Sequence, residues 1–140
     1  MTVSLEQGGR YSPIRYEDGF FVGEDKHLLF KVTEDDDVTV PDDLDTWTFV
    51  WVLKQNIRQD EAVVEVDSDG ITIVDDTDPD APYETIEMVR VIVPRDSTID
   101  LREGTYHHAL ARVDVNAWSV LAHGEAVLRY AAARFEEGGS

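Results

Sequence analysis

Short apolar stretches recur along this chain between clusters of Asp, Gly, Pro and Asn, and almost none of them has helical spacing. That rhythm predicts an all-β chain built as a sandwich or barrel. "GFFV" (19–22) and "HLLFKVT" (27–33) are read as the opening strands, followed by the charged connection "EDDDVTVPDDLD" (34–45), which proline and stacked like charges keep out of a sheet interior. In "TWTFVWVLK" (46–54) a period of two places Trp47, Phe49, Trp51 and Leu53 on one face and Val50 and Val52 on the other. Both faces are apolar in the middle, so one is expected to meet an opposing sheet and the second to need cover from the N-terminal segment or from another subunit.

"EAVVEV" (61–66) and "GITIV" (70–74) flank "DSDG", whose closing Asp-Gly pair predicts a tight hairpin with positive φ. "DDTDPDAP" (75–82) reads as a loop, and "TIEMVRVIVP" (85–94) as a strand with Ile86, Met88 and Ile92 opposed by Val89, Val91 and Val93. "RDSTIDLREG" (95–104) connects to "TYHHALARVDV" (105–115), which turns at Asn116-Ala117 into "WSVLAHG" (118–124), a second hairpin. "EAVLRYAAARFEE" (125–137) is rich in helix formers, so a short C-terminal helix competes with a final strand to about residue 132; the strand is favoured. The expected organisation is an N-terminal arm or edge strand over 1–26, one β-sandwich over 27–135 and a flexible tail at 136–140.

Charge narrows the partners. Thirty acidic residues against twelve basic ones give a net charge of −18, which repels nucleic-acid backbones and anionic membranes. Aspartate outnumbers glutamate 18 to 12 and lysine occurs only at 26, 31 and 54, a balance suited to a halophilic host as well as to an acidic surface in an ordinary cytoplasm. Without cysteine there is neither a disulfide framework nor a thiolate site. No apolar run of signal-peptide or membrane-spanning length is present, so a soluble chain without export signal or transmembrane segment is expected.

The candidate chemistry is sparse. His107 and His108 are neighbours on a strand and point to opposite faces, and His27 and His123 lack metal-ligand spacing, so no histidine metal site is expected. Asp76, Asp78 and Asp80, with Glu84 and Glu87 where positions 9 and 12 of a calcium loop would fall, form the sharpest cation hypothesis. However, Ala81 stands where such a loop needs glycine, and Pro79 and Pro82 stiffen the turn, so a solvated acidic loop is preferred. Ser119 and His123 lie close in sequence without a nucleophile elbow, and "EQGGR" opens no phosphate loop. No catalytic, cofactor-binding or metal residue is assigned, and no enzyme activity is expected. Trp47 and Trp51 read as core, whereas Trp118 suits a core, an interface or a ligand shelf equally.

"LREGTYHHAL" (101–110) resembles the turn into strand F of immunoglobulin-like sandwiches, where a tyrosine just past the corner returns its hydroxyl to the backbone; Tyr106 is that candidate. Taken in order, "DLDTWTFVWVLK" (43–54), "VDSDGITIVDD" (66–76), "MVRVIVPRDSTIDLREGTYHHALARVD" (88–114) and "LAHGEAVLRY" (121–130) resemble the small immunoglobulin-like β-sandwich of tailed-phage virion proteins. The similar patterns are the LtfC-like domain and the N-terminal domain of phage baseplate upper proteins, over roughly residues 27 to 132. The resemblance implies an antiparallel sandwich of about 7–9 strands. It also implies a non-enzymatic structural protein of the virion, in the neck, tail, baseplate or capsid vertex, assembled in the host cytoplasm. With no long helical or fibre-forming extension after the sandwich, an adaptor or connector is expected rather than a receptor carrier. Its partners would be other virion proteins and copies of itself in a ring or other symmetric oligomer. A carbohydrate- or ligand-binding module for host recognition is the alternative, for which exposed tryptophans would stack on sugar rings.

Overall fold

The computed structural model describes residues 2–5, 13–14, 20–34, 39–56, 58, 61–78, 81–114 and 119–130. They form eight strands: β1 (Thr2–Leu5), β2 (Lys26–Thr33), β3 (Phe49–Lys54), β4 (Val64–Val66), β5 (Ile71–Asp78), β6 (Ala81–Val93), β7 (Gly104–Arg112) and β8 (Ser119–Leu128). A helical turn, α1 (Arg95–Thr98), links β6 to β7. One antiparallel sheet has the order β1-β2-β6-β5 and the other β4-β3-β7-β8. This is the A-B-E-D and C′-C-F-G arrangement of an immunoglobulin-like sandwich, so the all-β expectation holds.

The core lies between the sheets. Leu28, Phe30 and Val32 of β2 and Val89, Val91 and Val93 of β6 face Phe49, Trp51 and Leu53 of β3 and His108 and Leu110 of β7, and all are buried. The period of two read along 46–54 and 85–94 is the cause: alternate side chains of a pleated strand share a face, and the apolar set points inward. His108 is buried and His107 half-buried on the other face, so the adjacent histidines part as expected.

The corner before β7 is present. Tyr106, 5% exposed, donates its hydroxyl to the Arg102 carbonyl at 2.8 Å. Burial pushes the phenol pKa up, against the smaller lowering effect of that carbonyl contact. Gly104 at φ 153° opens the strand in a conformation that side chains disfavour. Replacing Tyr106 by Phe removes one net hydrogen bond and is expected to cost about 1 kcal/mol. A urea unfolding midpoint identical to that of the parent would contradict a corner role for the hydroxyl.

Several expectations are corrected. β4 and β5 do not form a hairpin: β4 pairs with β3 in one sheet and β5 with β6 in the other, so "DSDG" carries the chain across the sandwich. Gly70 is not among the positive-φ glycines; it is needed because a Cβ there would stand 2.6 Å from Val66 Cγ1. Residues 75–78 and 81–82 are strand rather than loop, since β5 continues to Asp78 and β6 starts at Ala81; residues 79 and 80 lie outside the described residues. Proline suits this part of β6 because the strand there has a side without a ladder partner among the described residues. The final strand stops at Leu128, with Arg129 in an isolated bridge, instead of reaching 132. The competing helix over 125–137 is excluded as far as Leu128; residues 131–137, the Asn116-Ala117 turn and Trp118 lie outside the described residues.

The described part of the N-terminal segment belongs to the sandwich itself. β1 is an edge strand on β2, and Ile14 and Phe21 form parallel bridges to Ala126 of β8 and to Arg129 just past its end. Ile14, Phe20 and Val22 are fully buried in the core. No described helix is long and apolar enough to cross a membrane.

Candidate functional site

The outer face of β4-β3-β7-β8 holds a groove of about 890 Å³. Strand register builds it in rows. Lys54, His107 and Glu125 stand side by side on β3, β7 and β8; Glu65, Val52, Ala109 and His123 form the next row; Val50, Ala111 and Val120 form the third. The central strand β7 turns only Ala109 and Ala111 outward in the middle of this face, and their short side chains leave a hollow between the longer groups at either side. Its described lining comes from these four strands and Ala62, so no described part of the N-terminal segment supplies the cover that Val50 and Val52 call for. Val50, Val52 and Ala109 are half-buried and Val120 is 41% exposed.

Chemically the groove is an apolar floor with a mixed-charge border. His107 and His123 sit on one face of adjacent strands, but no group of three or more His, Asp or Glu side chains gathers to hold a metal among the described residues. Ser119 pairs with Arg112 at the end of the β7–β8 ladder, three register steps from the Ala109–His123 pair, so Ser119 and His123, though close in sequence, form no nucleophile–base unit. Among the described residues the calcium-loop carboxylates form no three-ligand group either. Asp75 stands opposite Glu87 and Asp76 opposite Ile86, which puts Asp76 and Glu87 on different faces of the β5–β6 pair; Asp80 lies outside the described residues.

At the centre of the sandwich is an arrangement the sequence reading missed. Immunoglobulin domains bridge strands B and F by a disulfide, with the second cysteine two residues after the corner tyrosine. Here that position is His108. Its ring lies 6.4 Å from Phe30 of β2 and 6.0 Å from Trp51 of β3, and its Nδ1 accepts the Trp51 indole N–H at 3.1 Å. An accepting Nδ1 carries no proton, so His108 is neutral in this contact. The absence of cysteine together with a histidine two places after Tyr106 was the available signal.

A clamp closes one end of the same sheet. The Arg112 guanidinium lies 3.9 Å above the Trp47 ring, and its Nε and Nη2 reach Asp114 Oδ2 at 2.8 and 2.6 Å. Asp114 Oδ1 accepts the Thr48 N–H. The Arg112 hydrogen bond, followed by the Thr48 backbone contact, holds the Asp114 carboxyl below its ordinary pKa. These contacts fix the end of the β3–β7 ladder and leave Trp47 and Trp51 buried, with no described tryptophan on a shelf.

Among known proteins, no family model and no curated sequence matches this chain.

Proposed function

We propose that this chain is a non-enzymatic structural protein of a tailed virus particle, an adaptor or connector in the neck, tail, baseplate or capsid vertex that works by protein–protein assembly. The observation that carries the assembly part is the groove whose floor is Val50, Val52, Ala109, Ala111 and Val120. A contiguous apolar hollow on a sheet face gains free energy when another surface covers it. The assignment to a virion comes from the resemblance of the strand segments described above, with which the immunoglobulin-like strand order agrees.

The sugar-binding alternative calls for exposed aromatic rings. Trp47 and Trp51 are buried and the described lining of the groove has no Trp, Tyr or Phe, which favours assembly. The test is the native mass of the purified protein, alone and mixed with virion components. Val52→Glu places a carboxylate on the groove floor and is expected to abolish complex formation while the chain stays folded, its position opposite Glu65 costing about 1 kcal/mol of stability. A protein that stays monomeric in every mixture and binds oligosaccharides instead would overturn the proposal.

A further inference from the structure

β5 and β6 outrun the sheet that holds them. β2 pairs with β6 only from Lys26↔Val93 to Phe30↔Val89, whereas the β5–β6 register continues through Val74↔Met88, Asp75↔Glu87, Asp76↔Ile86 and Thr77↔Thr85 to Asp78↔Ala81. The distal half is a two-stranded ribbon with no further ladder partner on either side among the described residues. Unpaired N–H and C=O groups along such edges are a template for another strand. The ribbon also offers contact area: Tyr83 is fully exposed, and Ile73, Val74 and Ile86 are half-buried.

We propose that this ribbon docks an extended, Lys- or Arg-bearing segment of a partner protein by strand addition to an open edge. Charge selects the occupant. Residues 71–89 carry six carboxylates and no Lys, Arg or His, so pairing with the same ribbon of a second copy would set carboxylates against carboxylates. The charges thus protect the edges from self-association and leave them open to a cationic strand. Asp75 and Glu87 face one another directly across the ladder, a repulsion that an ammonium or guanidinium group relieves. Nucleic acid is repelled by the same carboxylates, and among the described residues no group of three of them gathers to hold a metal ion. The proposal rests on the assembly reading but uses a surface other than the groove.

The experiment titrates the whole protein with an octapeptide of alternating Lys and Val while backbone amide signals are followed by NMR. A second titration uses the same peptide N-methylated at every internal amide, which keeps the charge and removes the donors. Shifts and slowed hydrogen exchange are expected at 72–78 and 83–88. Affinity should fall about tenfold or more with the methylated peptide, and equally in an Asp75→Asn, Asp76→Asn, Glu84→Gln, Glu87→Gln variant. Equal affinity for the two peptides, shifts confined to other surfaces, or no binding would each overturn the proposal. The Val52→Glu variant separates the two readings: unchanged peptide binding beside lost assembly upholds both, and unchanged assembly with unchanged peptide binding removes the groove alone.

Discussion

Replacing Trp51 by alanine is expected to destabilise the sandwich by about 3–5 kcal/mol, the range for emptying a large buried aromatic site. Trp51 has no exposed surface, lies at the centre of β3 and is packed against His108 of β7. Alanine removes the packing area, leaves a cavity that the two sheets cannot close, and takes away the donor to His108 Nδ1. Against a total stability of about 5–15 kcal/mol, such a loss moves the urea midpoint by a large fraction of its value. A midpoint within experimental scatter of the parent would mean that Trp51 is not part of a packed core. The smaller Trp51→Phe change keeps most of the ring and isolates the hydrogen bond.

The second expected result concerns that bond. His108→Leu keeps an apolar side chain in the core but strands the Trp51 indole N–H without an acceptor, at a cost of about 1–3 kcal/mol. Trp51→Phe leaves His108 Nδ1 without its donor and is expected to cost a similar amount. Combining the two removes donor and acceptor together, so the double variant should be less destabilised than the sum of the singles by about 1 kcal/mol or more. Additivity of the two urea midpoint shifts would show that the histidine serves only as filling. The coupling matters to the fold because this pair, with Phe30, occupies the place where immunoglobulin domains carry a covalent link between the sheets. A hydrogen-bonded cluster needs no oxidising compartment, which accords with a chain that has no cysteine.

The acidic segment shows where local signals mislead. Asp75, Asp76, Asp78 and two prolines read as a solvated loop, because carboxylates and proline are depleted from sheet interiors. The ribbon is not an interior: its exposed faces hydrate the charges, and the ladder between Thr72↔Arg90 and Thr77↔Thr85 satisfies one side of each backbone. "DSDG" misleads in the complementary way. Its Asp67–Gly70 reversal exists, with the Gly70 N–H donating to the Asp67 carbonyl at 2.9 Å, yet a local reversal does not say which ladder receives the next strand.

What the chain determines by itself is whatever depends on neighbours in sequence. Alternation put Trp51 and Leu53 inward with Val50 and Val52 outward, the adjacency of His107 and His108 sent one ring to each face, and the spacing of "REGTY" marked Tyr106 as the corner. Tertiary structure alone decided the pairings between distant segments: β4 on β3 and β5 on β6, the Trp51–His108 bond across 57 residues, and the rows that set Val52 beside Ala109 and His123. The physical reason is that side-chain direction follows from local backbone geometry, whereas the register that builds a groove or a ribbon is chosen by the free energy of burying both sheets at once.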